Sequence, residues 1–404
     1  MQTILICLLK VYSNMKNKCL HWKSGMYIST EGNVRLCCVS QEKINNSEIH
    51  IDNIENLQSY FNSQYYIDLR NKNFRNIDIC SSCKTREVIE QKSLRNMCKN
   101  TFDMYEIDYN RNNDDCLIEF LDLSFNNLCN QQCVMCASEW SSKWYKYDKE
   151  YENTQFIRNP TQYLKWTNKK NIDKIKRLLP HLKLLSIKGG EPLIQEEVKD
   201  ILLYIKNRDL DCYVNIVSNF QKTSKEILEI ICSMRNMVLT ISIDSTGKRY
   251  EWIRGGKWKN TLSNIKTYVH NCKFYPSFGY ANTLNRWSVE HLVEDIKIME
   301  EFNSKITKDV DNANSWYNIL IATGPAYVSP LMLPREKRLD IIYEFEKNFG
   351  IITDESMQYK SLTLHHLKTI TSLENEQYNI TDDTINVSND WEGVINNIRK
   401  YRID

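Results

Sequence analysis

The stretch "CLIEFLDLSFNNLCNQQCVMCASEW", residues 116–140, joins an apolar run to a loop that holds Cys129, Cys133 and Cys136. The run 116–125 reads as a strand, short and rich in Leu, Ile and Phe. The pattern then repeats. "LKLLSIKGG" (182–190) reads as a second strand and "LIQEEVKDILLYIKN" (193–207) has apolar residues at helical spacing. "CYVNIVSNF" (212–220) precedes the helix "KEILEIICSMR" (225–235), and "MVLTISIDS" (237–245) precedes the helix "TLSNIKTYVHNC" (261–272). "FYPSFGYANT" (274–283), the helix "SVEHLVEDIKIMEEF" (288–302) and the strand "WYNILIA" (316–322) complete the run. Six strands alternating with helices imply an α/β fold with a parallel sheet and right-handed crossovers. About 215 residues, at ~35 per unit, suit a partial six-unit barrel and fall short of the ~250 of a closed eight-unit one.

The chain has 404 residues, 42% of them hydrophobic and 26% charged, which is the balance of a globular protein. Its 53 Lys and Arg nearly cancel 51 Asp and Glu, leaving +2, so no global charge points to a polyanion partner. No stretch approaches the ~18 apolar residues of a membrane span. The opening "MQTILICLLKVYSNMKNK" is interrupted by Lys10 and has neither a basic region before it nor a cleavage site after it. It reads as a packed edge segment, or as an upstream extension with the true start at Met15, and the protein is placed in the cytoplasm. Fourteen cysteines are many for such a chain and suggest metal binding or redox chemistry over disulfides.

Composition divides the chain in three. Residues 1–115 are Asn-rich with short apolar pieces, 116–330 carry the strand–helix alternation, and 331–404 read as a helical extension beginning with "REKRLDIIYEFEKNF" (335–349).

Three thiolates on one loop can hold three corners of a cube-like iron–sulfur cluster, which four cysteines would saturate. Supplying three leaves one iron open to an outside ligand. The structural alternatives are a zinc knuckle with a distant fourth ligand, or three reduced buried cysteines; zinc sites pair C-x2-C spacings, and this loop lacks the second pair. At this cysteine frequency, chance would supply about 0.02 copies of C-x3-C-x2-C.

Lying just after the first strand of an α/β domain, Cys129, Cys133 and Cys136 resemble the signature of the radical S-adenosylmethionine (radical SAM) enzymes. The resemblance implies a [4Fe–4S] cluster whose open iron is chelated by the amino and carboxylate groups of S-adenosylmethionine (SAM). It implies reductive cleavage to a 5′-deoxyadenosyl radical and hydrogen abstraction from a substrate. Met135 stands where the family often has an aromatic residue near the adenine. Gly189, Gly190, Glu191 and Pro192 ("GGEP") match the family's second strand end, where glycines let backbone carbonyls approach the cofactor ammonium and Glu191 supplies a negative partner. Ser218 and Asn219, then Ser242 and Asp244, and Arg254 in "WIRGG" resemble further contacts to ribose and carboxylate. Arg254 would bind two carboxylate oxygens with its fork. Read simply as residues, these five serve equally well as strand-end caps.

The amino-terminal cysteines resemble a second family feature, the half-sized auxiliary-cluster module called a twitch domain, related to SPASM domains. Cys19, Gly32, Cys37, and Cys80 with Cys83 as C-x2-C carry the likeness, Gly32 permitting a hairpin that brings Cys19 and Cys37 together. Cys38 rivals Cys37; spacing from Gly32 favours Cys37. The same four thiols would also suit structural zinc. In the subset that the chain resembles, the module precedes the barrel. Cys7, Cys38, Cys98, Cys116, Cys212, Cys232 and Cys272 read as small buried hydrophobes, with a place near the auxiliary site as the alternative for Cys98. "WSSKWYKYDKEY" (140–151) reads as a helix packing its aromatics on the barrel rim in preference to a base-stacking surface, so nucleic acid is a disfavoured partner.

The resemblance implies a peptide or protein side chain as substrate, with a nucleoside, sugar or other small molecule as the alternative. It also implies a reductase or a flavodoxin- or ferredoxin-type electron donor. A non-enzymatic zinc-binding interaction protein is the alternative of another class. No residue is nominated as hydrogen or proton donor.

Overall fold

A computed structural model of the chain describes residues 18–40, 49–76, 78–88, 93–152, 154–156, 160–162, 166–310, 312–322, 325–350, 358–372 and 382–402. The opening segment with Met1 and Met15, and Cys7 within it, lies outside the described residues.

Eight strands form one sheet: β1 (Gly25–Ile28), β2 (Val34–Arg35), β3 (Phe120–Leu123), β4 (Leu184–Ile187), β5 (Tyr213–Ser218), β6 (Met237–Ser242), β7 (Ser277–Leu284) and β8 (Asn314–Ile321). Their order is β2-β1-β3-β4-β5-β6-β7-β8. Strands β3 to β8 fall on the six stretches that the apolar pattern marks, giving the partial barrel expected. Strand β3 starts four residues inside its apolar run for a local reason. The Gln58 side chain donates to Cys116 O at 2.8 Å and accepts from Ile118 N at 3.0 Å, occupying backbone groups that a strand neighbour would use. Two strands were not foreseen as part of this sheet. β1 pairs parallel with β3, Tyr27 opposite Asp122, and β2 pairs antiparallel with β1, so the amino-terminal hairpin extends the sheet.

The chain divides into two compact units, 1–126 with 164–188 and 203–215, and 127–163 with 189–202 and 216–404. In the first, the turn between β1 and β2 depends on Gly32 at φ +84. A Cβ there would strike His50 Nε2 and come within 2.8 Å of Trp166 Cβ. Arg70 is buried beneath the helix Leu57–Phe61, donating to Phe61 O and Trp22 O at 2.6 Å each, which satisfies a cation that would otherwise be costly to bury.

In the second unit β6, β7 and β8 run parallel, with Leu239 opposite Phe278 and Phe278 opposite Ser315. Helices form where caps and apolar spacing agree. Ser224 Oγ accepts from Ile227 N at 3.1 Å ahead of Lys225–Cys232, whose Ile227, Ile230 and Ile231 face inward. The carboxyl-terminal helices are built into this core. Phe345 of Arg335–Phe349 and Leu367 of Gln358–Ser372 join a cluster with Leu284 and Ile319. Trp391 of Asp382–Arg399 enters an aromatic cluster with Trp144, Phe156, Trp252 and Tyr327. Among the described residues no helix is long and apolar enough to cross a membrane.

Asp295 on the helix Leu292–Thr307 accepts from Ser245 Oγ at 2.7 Å and from Thr246 N and Oγ1 at 3.0 and 2.6 Å, fixing the turn after β6. Burial pushes its carboxyl up from 3.8 to about 6. The folded state therefore keeps a proton that the unfolded chain releases earlier, and stability from this group is greatest below pH 3.8 and falls as pH rises through about 6.

Two outcomes follow. Asp295→Asn should flatten the decline of the thermal midpoint between about pH 4 and 6; an unchanged slope would remove Asp295 from the account. Gly32→Ala should destabilise by at least about 1–3 kcal/mol, because positive φ and overpacking add, read as a lower thermal midpoint.

Candidate active site and metal centres

The three-cysteine loop is held at nearly every turn by its own unit. Cys136 N donates to Cys133 O at 2.9 Å, Val134 N to Ile253 O at 2.8 Å, and Ser142 N to Asn127 O at 2.7 Å. Trp144 Nε1 donates to Cys133 O and Trp391 Nε1 to Val134 O, each at 3.1 Å, and Arg399 bonds Gln132 O. Cys129 is buried, Cys133 and Cys136 half-buried. Burial pushes the Cys129 thiol up to about 12, with the neighbouring Cys133 and Glu191 adding to it. A crowded set of buried thiols of this kind is stabilised as thiolates by bound positive charge.

Glu191 joins three backbone segments. Its carboxylate accepts from Ser218 Oγ and Asn219 N at 2.6 Å each and from Leu193 N at 3.1 Å. Its own N–H donates to Leu128 O at 2.8 Å, directly ahead of Cys129. Burial raises its carboxyl to about 7 against the opposing pull of those donors. Gly190, at φ +57, lies so close to the loop that a Cβ would strike Leu128 O. Asn219 Nδ2 donates to Asn130 Oδ1 at 2.8 Å and stands 4.0 Å from Cys129 Sγ. The next residue, Phe220, is held at φ +50, a strained value for a bulky side chain.

Arg254 lies beside Cys133, whose Sγ is 3.8 Å from Arg254 O. Its guanidinium pairs with Asp244 at 2.5 Å and donates to Gln131 Oε1 at 3.3 Å, while Asp244 also accepts from Thr283 N at 2.9 Å. Met135 and Cys136 sit at the edge of the aromatic cluster. Ser242 is half-buried at the end of β6, and Gly189 O accepts from Gln195 Nε2 at 3.1 Å.

The structure thus brings Cys129, Cys133, Gly190, Glu191, Asn219, Asp244 and Arg254 into one neighbourhood. Glu191 is more tightly engaged with protein donors than a pure ligand-binding carboxylate would be. Sequence reasoning missed Gln131, Trp144, Trp391 and Arg399. Gln131 lies inside the motif and was open to notice. Trp391 and Arg399 come from a tail whose pattern carries no signal beyond helix.

In the first unit Cys19, Cys37, Cys80 and Cys83 line one small cavity with His21, Phe74 and Arg95. Burial, then Cys98, Cys37 and Cys80, raise the Cys19 thiol well above its usual range. Cys98 therefore stands beside these thiols, in addition to packing against Phe102 and Phe120. Burial brings His21 down to about 4, which keeps its ring neutral. Cys38 lies elsewhere, against Lys188 and Asp122. Among the described residues no three His, Cys, Asp or Glu are grouped tightly enough for a single metal ion. Tetrahedral zinc would draw its sulfurs to about 3.8 Å of one another, whereas a cube-like cluster takes thiolates spread around a wider space. The donor set, four thiols around one cavity, fits the cluster.

Residues 123–296 match the model of the radical SAM superfamily, and residues 19–84 match that of an iron–sulfur cluster-binding domain, SPASM. The second match begins at Cys19 and ends one residue after Cys83. Both [4Fe–4S] clusters and SAM are cofactors of a chain so built. No curated protein matches the chain. Similar solved structures include native anSMEcpe with bound AdoMet (12% identity, 57% of this chain, 61% of that one, TM-score 0.38) and the same enzyme with the Cp18Cys peptide (13%, 56%, 59%, 0.39). Streptococcus suis SuiB bound to S-adenosylmethionine is a third (15%, 75%, 67%, 0.37). The chain spans about three fifths of the length of the first two. The family models, and not these distant structures, carry the assignment.

Glu191→Ala should leave the Ser218 hydroxyl and the Asn219 and Leu193 amides without their acceptor, costing roughly 2–4 kcal/mol. The iron held by the Cys129 loop should fall while the auxiliary iron stays. Equal loss from both centres, measured by metal analysis, would contradict a local role.

Proposed function

We infer, for a radical SAM enzyme with a SPASM-like module ahead of its barrel, that the chain abstracts hydrogen from a peptide or protein side chain. Residues 1–115 serve as the auxiliary module, 116–330 as the barrel and 331–404 as a helical extension. The observation that carries the reading is the sharing of thiols: three on the Cys129 loop, four around the cavity of Cys19, Cys37, Cys80 and Cys83. SAM and a cluster held there would supply reductive cleavage and the radical chemistry that follows from it.

The chain supplies placement. Cys129, Cys133 and Cys136 would hold the cluster by three thiolates. Gly189 and Gly190 present backbone carbonyls, and Glu191 keeps them against the loop. Ser218, Asn219 and Ser242 offer hydroxyl and amide groups at strand ends, Asp244 and Arg254 offer a charged pair beside Cys133, and Met135 offers an apolar surface. The aromatic cluster around Trp144 and Trp391 closes the back of the loop to water. A flavodoxin- or ferredoxin-type donor in the cytoplasm delivers the electrons.

The peptide reading rests on the SPASM-like module of residues 19–84, which the radical SAM resemblance ties to peptide and protein substrates. Anaerobically reconstituted protein should be brown with about eight irons and, with dithionite, should yield 5′-deoxyadenosine. Cys133→Ala should abolish that product and Cys80→Ala should retain part of it. Colourless protein carrying zinc, or undiminished product from Cys133→Ala, would overturn the reading.

A further inference from the structure

One face of the sheet in the first unit is polar although it is buried. In the parallel ladder Tyr27 stands opposite Asp122 and Asp122 opposite Ser186. The two-residue period of strands puts Ser124 and Lys188 on that same face, one step further along. The opposite face carries Met26, Ile28, Leu121, Leu123, Leu185 and Ile187, all at most 1% exposed. An ordinary core would have made both faces alike.

The polar groups, with the Cys38 thiol against Lys188 and Asp122, are only partly matched to one another. Lys188 Nζ is 2.6 Å from one oxygen of Asp122 and 5.4 Å from the centre of the Tyr27 ring. The second oxygen of Asp122, Oδ1, has no hydrogen-bond partner, nor do the Tyr27 and Ser124 hydroxyls. These three residues are 6%, 1% and 0% exposed. Tyr27 and Ser124 lie side by side, outside hydrogen-bond geometry. Three orphaned polar atoms on one face of a buried sheet are unusual, since such atoms are nearly always paired. The Lys188 side chain is 29% exposed and meets solvent.

Charge narrows what would fill it. The ion pair is neutral as a unit. An anion would meet the free Asp122 oxygen, and a cation would meet Lys188. Burial alone would discharge Lys188, but the Asp122 carboxylate outweighs it and holds the amine charged, so it binds and does not attack as a free amine. The group that fits is neutral and carries both a donor, for the carboxylate oxygen, and an acceptor, for a hydroxyl. Both strands end here, Ser124 five residues before Cys129 and Lys188 one before Gly189, and carboxyl ends of strands are where α/β sheets place ligands.

We propose that Tyr27, Ser124, Asp122 and Lys188 form a substrate subsite for a peptide carboxamide. Its N–H donates to Asp122 Oδ1, and its carbonyl accepts from the Tyr27 or Ser124 hydroxyl. This deepens the peptide reading above and rests on it.

The test uses fully loaded wild-type enzyme under anaerobic conditions and N-acetylglycine N-methylamide, an uncharged minimal peptide, as probe. Acetate, methylammonium and glycerol are run beside it. Crystals soaked in each should show the diamide seated on Asp122 and Tyr27, and neither ion bound. In ligand-observed NMR, Tyr27→Phe, which keeps the ion pair, should weaken the diamide about two- to tenfold, and Asp122→Asn about tenfold or more. Ordered water only, preferential seating of acetate or glycerol, or undiminished affinity in Tyr27→Phe would overturn the subsite. Wild-type enzyme that forms 5′-deoxyadenosine while failing these soaks refutes the subsite alone. Failure to form that product refutes the broader reading, whatever the soaks show.

Discussion

The buried carboxylate of Glu191 is the interaction on which the second unit's site depends. It gathers Ser218, Asn219 and Leu193 through its side chain and Leu128 through its backbone. These contacts bind two strand ends to the start of the cysteine loop. Taking a carboxylate out of water is costly, and its carboxyl is correspondingly raised to about 7. Three donors offset that cost only in one backbone arrangement. The charge is thus a device for register: it specifies where the loop begins, and Gly190 makes room for the approach.

The rest of the loop is specified from the other side by apolar packing with polar tips. Trp144 and Trp391 are fully buried, 5.5 Å apart between ring centres, yet each spends its indole N–H on a loop carbonyl. An aromatic body supplies burial while its edge supplies direction. Arg399 and Arg254 add positive charge near Cys133, the sign that a set of thiolates requires. The carboxyl-terminal helix, remote in sequence, is therefore part of the support of the cysteine loop.

Much of this is legible in the sequence. The spacing of Cys129, Cys133 and Cys136 and the glycines of 189–190 mark local chemistry, and local chemistry is written in consecutive residues. The pairing of Cys19 and Cys37 with Cys80 and Cys83 was legible through the Gly32 turn, and the cavity takes Cys37 while Cys38 lies elsewhere. What escaped was tertiary. Nothing in "DDTINVSNDWEGVINNIR" says that Trp391 will reach Val134. Strand β1 was missed as a sheet member because Gly25–Ile28 is too short to show a period. The polar face did leave a trace, Asp122 and Ser124 alternating within apolar "FLDLSF".

The central claim is that the Cys129 loop holds its cluster by three side chains and leaves one iron to the cofactor. Mössbauer spectroscopy of iron-57-enriched, oxygen-free protein tests it most directly. The account predicts that adding SAM shifts the signal of a single iron in the loop's cluster and leaves the auxiliary cluster unchanged. A spectrum in which every iron is already saturated, and SAM moves none of them, would contradict it.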